Sequence, residues 1–176
     1  MVGRMERLEA CDEIARLKHR YVRALEERDW DGWANCFTES ATAQFMPAPG
    51  EAEAEVHRGR ARLRDWVGGA LEGAYVVIRV SLPDIEVLDG NHARGDWAQV
   101  ERLAFPDGPL RDATYYGYYH ETYEKGHDGL WRIASVSMSR IRHDLVQRDG
   151  TSVVNLDILD RARDRRSALA TPGGEL

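Results

Sequence analysis

The segment Asp12-Glu13-Ile14-Ala15-Arg16-Leu17-Lys18-His19-Arg20-Tyr21-Val22-Arg23-Ala24-Leu25-Glu26 decides how this chain is read. Ile14, Leu17, Tyr21 and Leu25 recur at three- and four-residue steps, and Ala15, Val22 and Ala24 widen the stripe. That period is helical, so one face of the segment is built for a core. Tyr21 lies within the stripe, where a buried phenol needs a partner for its O–H. Glu26 follows near the helix end. A phenol and a carboxylate brought to one cavity would be equipped for acid–base chemistry.

Outward from this segment, the first helix is expected over about Arg7 to Glu27. Asp29 is a candidate N-cap for a short second helix carrying Trp30, Trp33 and Phe37. Ala41 to Met46 reads as a first strand. Pro47 to Val56 is rich in Pro, Ala, Gly and Glu and reads as a surface loop, either a lid or a plain connection. Gly59 to Leu71 reads as a third helix with Leu63, Trp66, Val67 and Ala70 inward. Tyr75–Leu88, Ala93–Phe105, Arg111–Lys125 and Leu130–His143 then read as strands separated by turn signals, with Pro83 marking an edge or bulge. Three helical segments before a meander predict an α+β fold, with helices packed on one face of a curved, mostly antiparallel sheet. Residues 1–160 read as one domain and 161–176 as a charged, flexible tail.

Composition limits the function classes. A chain of 176 residues can bury a core without staples, and its net charge of −6 speaks against a basic nucleic-acid surface. Cys11 and Cys36 fall at apolar positions and read as small buried hydrophobes. No apolar run suits a signal peptide or a membrane span, so a cytoplasmic protein is expected. His57, His92 and His127 fall in or near expected loops and turns without paired metal-ligand spacing. No phosphate loop and no Gly-x-Ser-x-Gly elbow is present. Chemistry without metal or cofactor is the expectation.

Polar residues stand where the strand pattern wants apolar ones. Alternation puts Trp97, Gln99, Glu101, Leu103 and Phe105 on one face. An ionised Glu101 there is costly unless paired or solvated, so it either enters a cavity or escapes through a bulge or an arginine pair. Thr114–Tyr123 carries five tyrosines: Tyr116, Tyr118 and His120 share one face, and Tyr115, Tyr119 and Tyr123 the other. These rings fit an aromatic ligand wall and ordinary cross-strand packing alike, and His120 is either a proton carrier or a structural histidine. Arg140 shares a face with Val136 and Met138 and needs an anionic partner.

Taken with Asp29-Trp30-Asp31, Ala93-Arg94-Gly95-Asp96-Trp97, Tyr123-Glu124-Lys125 and Trp131-Arg132-Ile133, the first helix gives a pattern in order and spacing. The chain resembles the SnoaL-like branch of the nuclear transport factor 2-like superfamily, over roughly Asp12 to Asp157. Within that branch it looks most like the bacterial bile-acid 7α-dehydratases, with scytalone dehydratase and the hexachlorocyclohexane dehydrochlorinase as more distant relatives. The resemblance implies a cone-shaped roll with a deep internal pocket. It places Tyr21, Glu101 and Arg140 at pocket positions, and Glu26 where an aspartate orients a catalytic histidine. The position of that histidine, counted back from Pro83-Asp84-Ile85, holds Ile78.

The function expected is a cofactor-independent dehydratase-, isomerase- or cyclase-type enzyme acting on a small apolar ring compound such as a steroid, polyketide or terpenoid. Its expected catalytic residues are Tyr21, Glu26, Glu101, His120 and Arg140. Trp30, Trp97, Tyr116, Tyr118 and Met138 are expected to line the substrate site. The alternative is a non-catalytic ligand-binding or dimerisation module. The resemblance also implies a homodimer or homotrimer; a small molecule is the other expected partner, and charge and hydropathy lead to the expectation of neither nucleic acid nor membrane.

Overall fold

A computed structural model of the chain describes residues 2–45 and 55–155. The elements run α1 (Arg4–Glu27), α2 (Trp30–Ala34), β1 (Phe37–Gln44), β2 (Val56–Arg58), α3 (Arg60–Ala70), β3 (Tyr75–Val87), β4 (His92–Ala104), β5 (Leu110–Lys125), β6 (Trp131–Gln147) and β7 (Ser152–Asn155). The strands form one sheet ordered β2-β1-β6-β5-β4-β3, with β7 pairing the far end of β6. All pairings are antiparallel except that of β1 with β6. The α+β architecture therefore stands as expected. The expected loop over 47–56 falls mostly outside the described residues, as does the tail over 161–176.

Each helix follows from its local sequence. In α1 the stripe Ile14, Leu17, Tyr21 and Leu25 is buried against the sheet, and each such side chain stabilises by about 1.5–3 kcal/mol. Arg28 closes the helix in the left-handed conformation, φ 60°, a common helix ending. The Asp29 carboxylate then accepts a hydrogen bond from the Gly32 amide at 2.8 Å and starts α2. The second helix is shorter than its aromatic spacing suggests. Phe37 opens β1 instead of continuing α2, because Asn35 and Cys36 turn the chain. Phe37 and Trp33 still meet edge to face, 4.7 Å between centroids.

The sheet encloses the core on its inner face. Cross-strand partners on that face include Ile78 with Glu101, Glu101 with Tyr115, Trp97 with Tyr119, and Tyr119 with Met138. β3 is an edge strand, and its register breaks between Ser81 and Asp84, around Pro83. That is where a residue without an amide proton can sit in a sheet. A second irregularity lies between Tyr116 and Gly117, where β5 meets β6. A Cβ on Gly117 would stand 2.0 Å from the Ser139 carbonyl oxygen, so only glycine fits this bulge. Two strands go beyond the sequence-based expectation. β2 is too short for a periodic signal, and β7 consists of residues with exposed Val153 and Val154.

Candidate active site

Between α1, α3 and the curled sheet lies a cavity of about 520 Å³. Its polar lining comes from Tyr21, Glu55, His57, Glu101, Tyr115, Tyr119 and Arg140. Leu25, Trp33, Phe45, Trp66, Val67 and Met138 are among the apolar residues that complete it. The size and the mixture of apolar wall with a few convergent polar groups are those of a small-molecule site.

Glu101 is the chemically distinctive group. Strand alternation turns it inward, between Ile78 of β3 and Tyr115 of β5. Burial among these neighbours disfavours the carboxylate and pushes its pKa up to about 7, against the opposing pull of Arg140. The Arg140 guanidinium lies over the Tyr115 ring, 4.4 Å from its centroid. The bulge at Gly117 sets this geometry, because Gly117 is the cross-strand partner of Arg140. Near neutral pH such a carboxyl can either take or give a proton.

Tyr21 and Tyr119 form the inner end of the cavity, with ring centroids 6.0 Å apart and edge to face. Burial raises the pKa of both phenols well above the usual value, so both remain donors at neutral pH. The charges of Glu121 and Glu101 push Tyr21 in the same direction. Against these rings lies a fully buried cation. The Lys18 ammonium is 4.2 Å from the Tyr21 centroid and 3.6 Å from that of Tyr119. It forms an ion pair with Glu121 at 2.5 Å. The second Glu121 oxygen accepts from the Tyr123 hydroxyl at 2.5 Å, and that hydroxyl accepts from the Trp97 indole N–H at 2.8 Å. Burial pulls the Lys18 pKa down while Glu121 opposes it. The chain of contacts leaves neither charge of the pair alone in the core.

The structure brings together four of the ten expected site residues: Tyr21, Glu101, Met138 and Arg140. Six lie elsewhere. Glu26 faces away from the cavity and accepts hydrogen bonds from the Ile78 amide at 2.9 Å and from Arg79 Nη1 at 2.6 Å. β3 is an edge strand whose outer amides lack a neighbouring strand, and Glu26 satisfies one of them. His120, Tyr116 and Tyr118 point to the outer sheet face because they alternate with Tyr115, Gly117 and Tyr119. There His120 pairs with Asp96 at 2.7 Å and Ser139 at 2.8 Å, and Tyr116 packs beneath Arg142. Trp97 is buried inward, but its indole is committed to Tyr123. Trp30 packs against the α3 residue Gly68, clasping the two helices.

Other functional candidates were legible only in part. Lys18 follows Ile14 by four residues and precedes Tyr21 by three, a cation inside the apolar stripe. Glu121 shares a strand face with Tyr119 and Tyr123. His57 belongs to a three-residue strand that gives no period to read. Among the described residues no group of three or more His, Cys, Asp or Glu is placed to hold a metal ion. No helix of the described residues is long and apolar enough to cross a membrane.

Comparison with known proteins places this architecture. The sequence profile of the SnoaL-like domain matches residues 6–137. The chain belongs to the SnoaL-like domain family, within the nuclear transport factor 2-like superfamily. A provisionally assigned scytalone dehydratase from Novosphingobium aromaticivorans superposes with a TM-score of 0.71 at 17% identity, over 80% of this chain and 90% of that one. Rv3472 of Mycobacterium tuberculosis, a protein of unknown function solved as a single-residue variant, is 30% identical with a TM-score of 0.66, over 80% and 77%. A type 2 hexachlorocyclohexane dehydrochlorinase superposes with a TM-score of 0.69 at 13% identity, over 82% and 93%.

Proposed function

We propose that this protein is a cofactor-independent enzyme of the lyase, isomerase or cyclase type, acting on a small, largely apolar ring compound. A steroid, polyketide or terpenoid skeleton fits the class. The observation that carries this reading is Glu101: a carboxyl with a pKa near 7, beside Arg140, in a cavity walled by Trp33, Phe45, Trp66 and Tyr119. Titratable groups shifted by burial beside a specific charge, inside a cleft, are candidates for functional sites. Glu101 moves the proton. Tyr21 donates a hydrogen bond to a ring carbonyl or leaving hydroxyl. Arg140 stabilises the negative charge that develops, where low dielectric strengthens its effect.

Resemblance to the bile-acid dehydratases puts a catalytic histidine at the position of Ile78. Ile78 is buried directly across from Glu101, so in this chain the carboxyl inherits the inner wall that an imidazole would share. The same replacement favours the second reading, a non-catalytic ligand-binding module. The two separate on chemistry. Glu101→Gln and Tyr21→Phe are expected to lower turnover of an identified substrate by at least tenfold with binding changed less than threefold. Unchanged turnover in both variants rejects the enzyme assignment. The exposed outer face around Tyr118 supports a homodimer or homotrimer, to be read by light scattering.

A further inference from the structure

His57 is an imidazole in the cavity wall that the chemistry above does not use. It comes from β2, pairs with Ala43 of β1, and is 3% exposed. Its ring lies 4.5 Å from that of Trp66, which in turn stacks flat on Phe45 at 4.7 Å and 2°. Two aromatic rings thus hold its position. Its Nδ1 is buried with no hydrogen-bond partner among the described residues. The Glu55 carboxylate stands 3.9 Å from that atom, beyond hydrogen-bond reach, and is itself largely exposed and paired with Arg62 at 2.6 Å. A buried polar group left without a partner costs about 1–3 kcal/mol. A rigidly held, unsatisfied imidazole facing a ligand-sized cavity is therefore a group kept for use.

The sheet order sets His57 against Glu101. β2 and β4 are four strands apart, on the order of 19 Å along the sheet surface, yet both residues line one cavity. Curling of the sheet brings both to that one lining, together with Tyr21 and Arg140.

We infer that His57 is the proton acceptor of this site, working across the bound ring from Glu101 as the acid. The inference rests on the enzyme reading above. Glu55 closes on Nδ1 and holds its proton, so that Nε2 presents its lone pair to the ligand. In an elimination, Nε2 takes the proton from the carbon beside a carbonyl. The C–H electron pair becomes the new C=C bond, and the C–O bond to the hydroxyl breaks. Glu101, entering protonated, gives its proton to the departing oxygen, which leaves as water. The site is left with an imidazolium and a carboxylate, and it resets by proton exchange with solvent. An orienting carboxylate and an imidazole base are thereby supplied from β2, without a histidine at position 78.

The test uses 5-nitrobenzisoxazole, a flat apolar probe. A base removes its C3 proton as the N–O bond breaks, and the cyanophenolate formed is read at 380 nm. The wild-type protein is expected to exceed free imidazole at equal concentration by at least a hundredfold in second-order rate. His57→Gln is expected to lose at least tenfold, and His57→Ala to regain rate on addition of imidazole. If His57→Gln keeps the wild-type rate while Glu101→Gln loses tenfold, Glu101 is the base: the His57 assignment fails and the enzyme reading stands. If the wild-type protein does no better than imidazole, or neither variant changes the rate, both fail. Should the His57 variants not fold, exposed Glu55→Gln decides, with a threefold or greater loss expected and the wild-type rate overturning the assignment.

Discussion

Lys18 and Glu121 stand 103 residues apart in the chain and 2.5 Å apart in the core, both shielded from solvent. Neither has another full charge to answer it at this distance, so each is the other's condition for being buried. The ammonium also supports the two phenol rings at the inner end of the cavity. Breaking such a pair by removing one partner typically costs about 3–5 kcal/mol. Lys18→Met should cost that much in denaturant unfolding at pH 7. Lys18→Met combined with Glu121→Gln should recover part of the loss, because Gln still accepts from Tyr123 and carries no orphaned charge. A loss below 1 kcal/mol for the single variant would show that the pair is not held as described.

Glu101 should make the folded state less stable as pH rises. Its folded pKa of about 7 lies above the ordinary carboxyl value of 4.5, so between these two the folded state binds the extra proton and the unfolded state does not. Stability then falls through that window by on the order of 3 kcal/mol and levels off above pH 7. Glu101→Gln should flatten this slope and exceed the wild type at pH 8. Unfolding curves collected from pH 4.5 to 8 decide it.

Arg140 acts on Glu101 in the opposite sense to burial. Replacing the guanidinium by an uncharged chain, Arg140→Met, should move the Glu101 midpoint above 7, since only desolvation then remains. Carbon-13 resonances of the side-chain carboxyls followed across pH measure this directly. A midpoint that moves down would contradict the arrangement of Arg140 over Tyr115.

Gly117 holds the bulge that aims Arg140. Gly117→Ala would drive a methyl into the Ser139 carbonyl oxygen, and backbone cannot yield as a flexible side-chain end can. A loss of at least about 1–3 kcal/mol is expected, read as a lowered thermal midpoint. A silent substitution would place the bulge elsewhere.

Glu26 should be structural. Glu26→Ala removes a charged acceptor from the Ile78 amide and from Arg79, at a cost of roughly 1.5–3 kcal/mol. The Ile78 amide should exchange with solvent faster than in the wild type, while turnover falls less than threefold. A tenfold loss of turnover with unchanged exchange would return Glu26 to the chemistry.

What the sequence by itself determined was the set of local patterns. The 3.6-residue stripe from Ile14 to Leu25 made α1, the Asp29 carboxylate began α2, and two-residue alternation turned Glu101, Met138 and Arg140 to one face and His120 and Tyr118 to the other. These depend on neighbours a few positions away, so they are written in the chain. Only the tertiary structure decided which inward residues share a cavity. Glu26 went to the edge strand because an unpaired amide of β3 lay within its reach. Lys18 found Glu121 where α1 packs on the sheet, and His57 entered the cavity from a strand of three residues, because the curled sheet brings residues of its first and fifth strands to one lining. Those meetings depend on the path of the whole backbone, and no spacing within one segment encodes them.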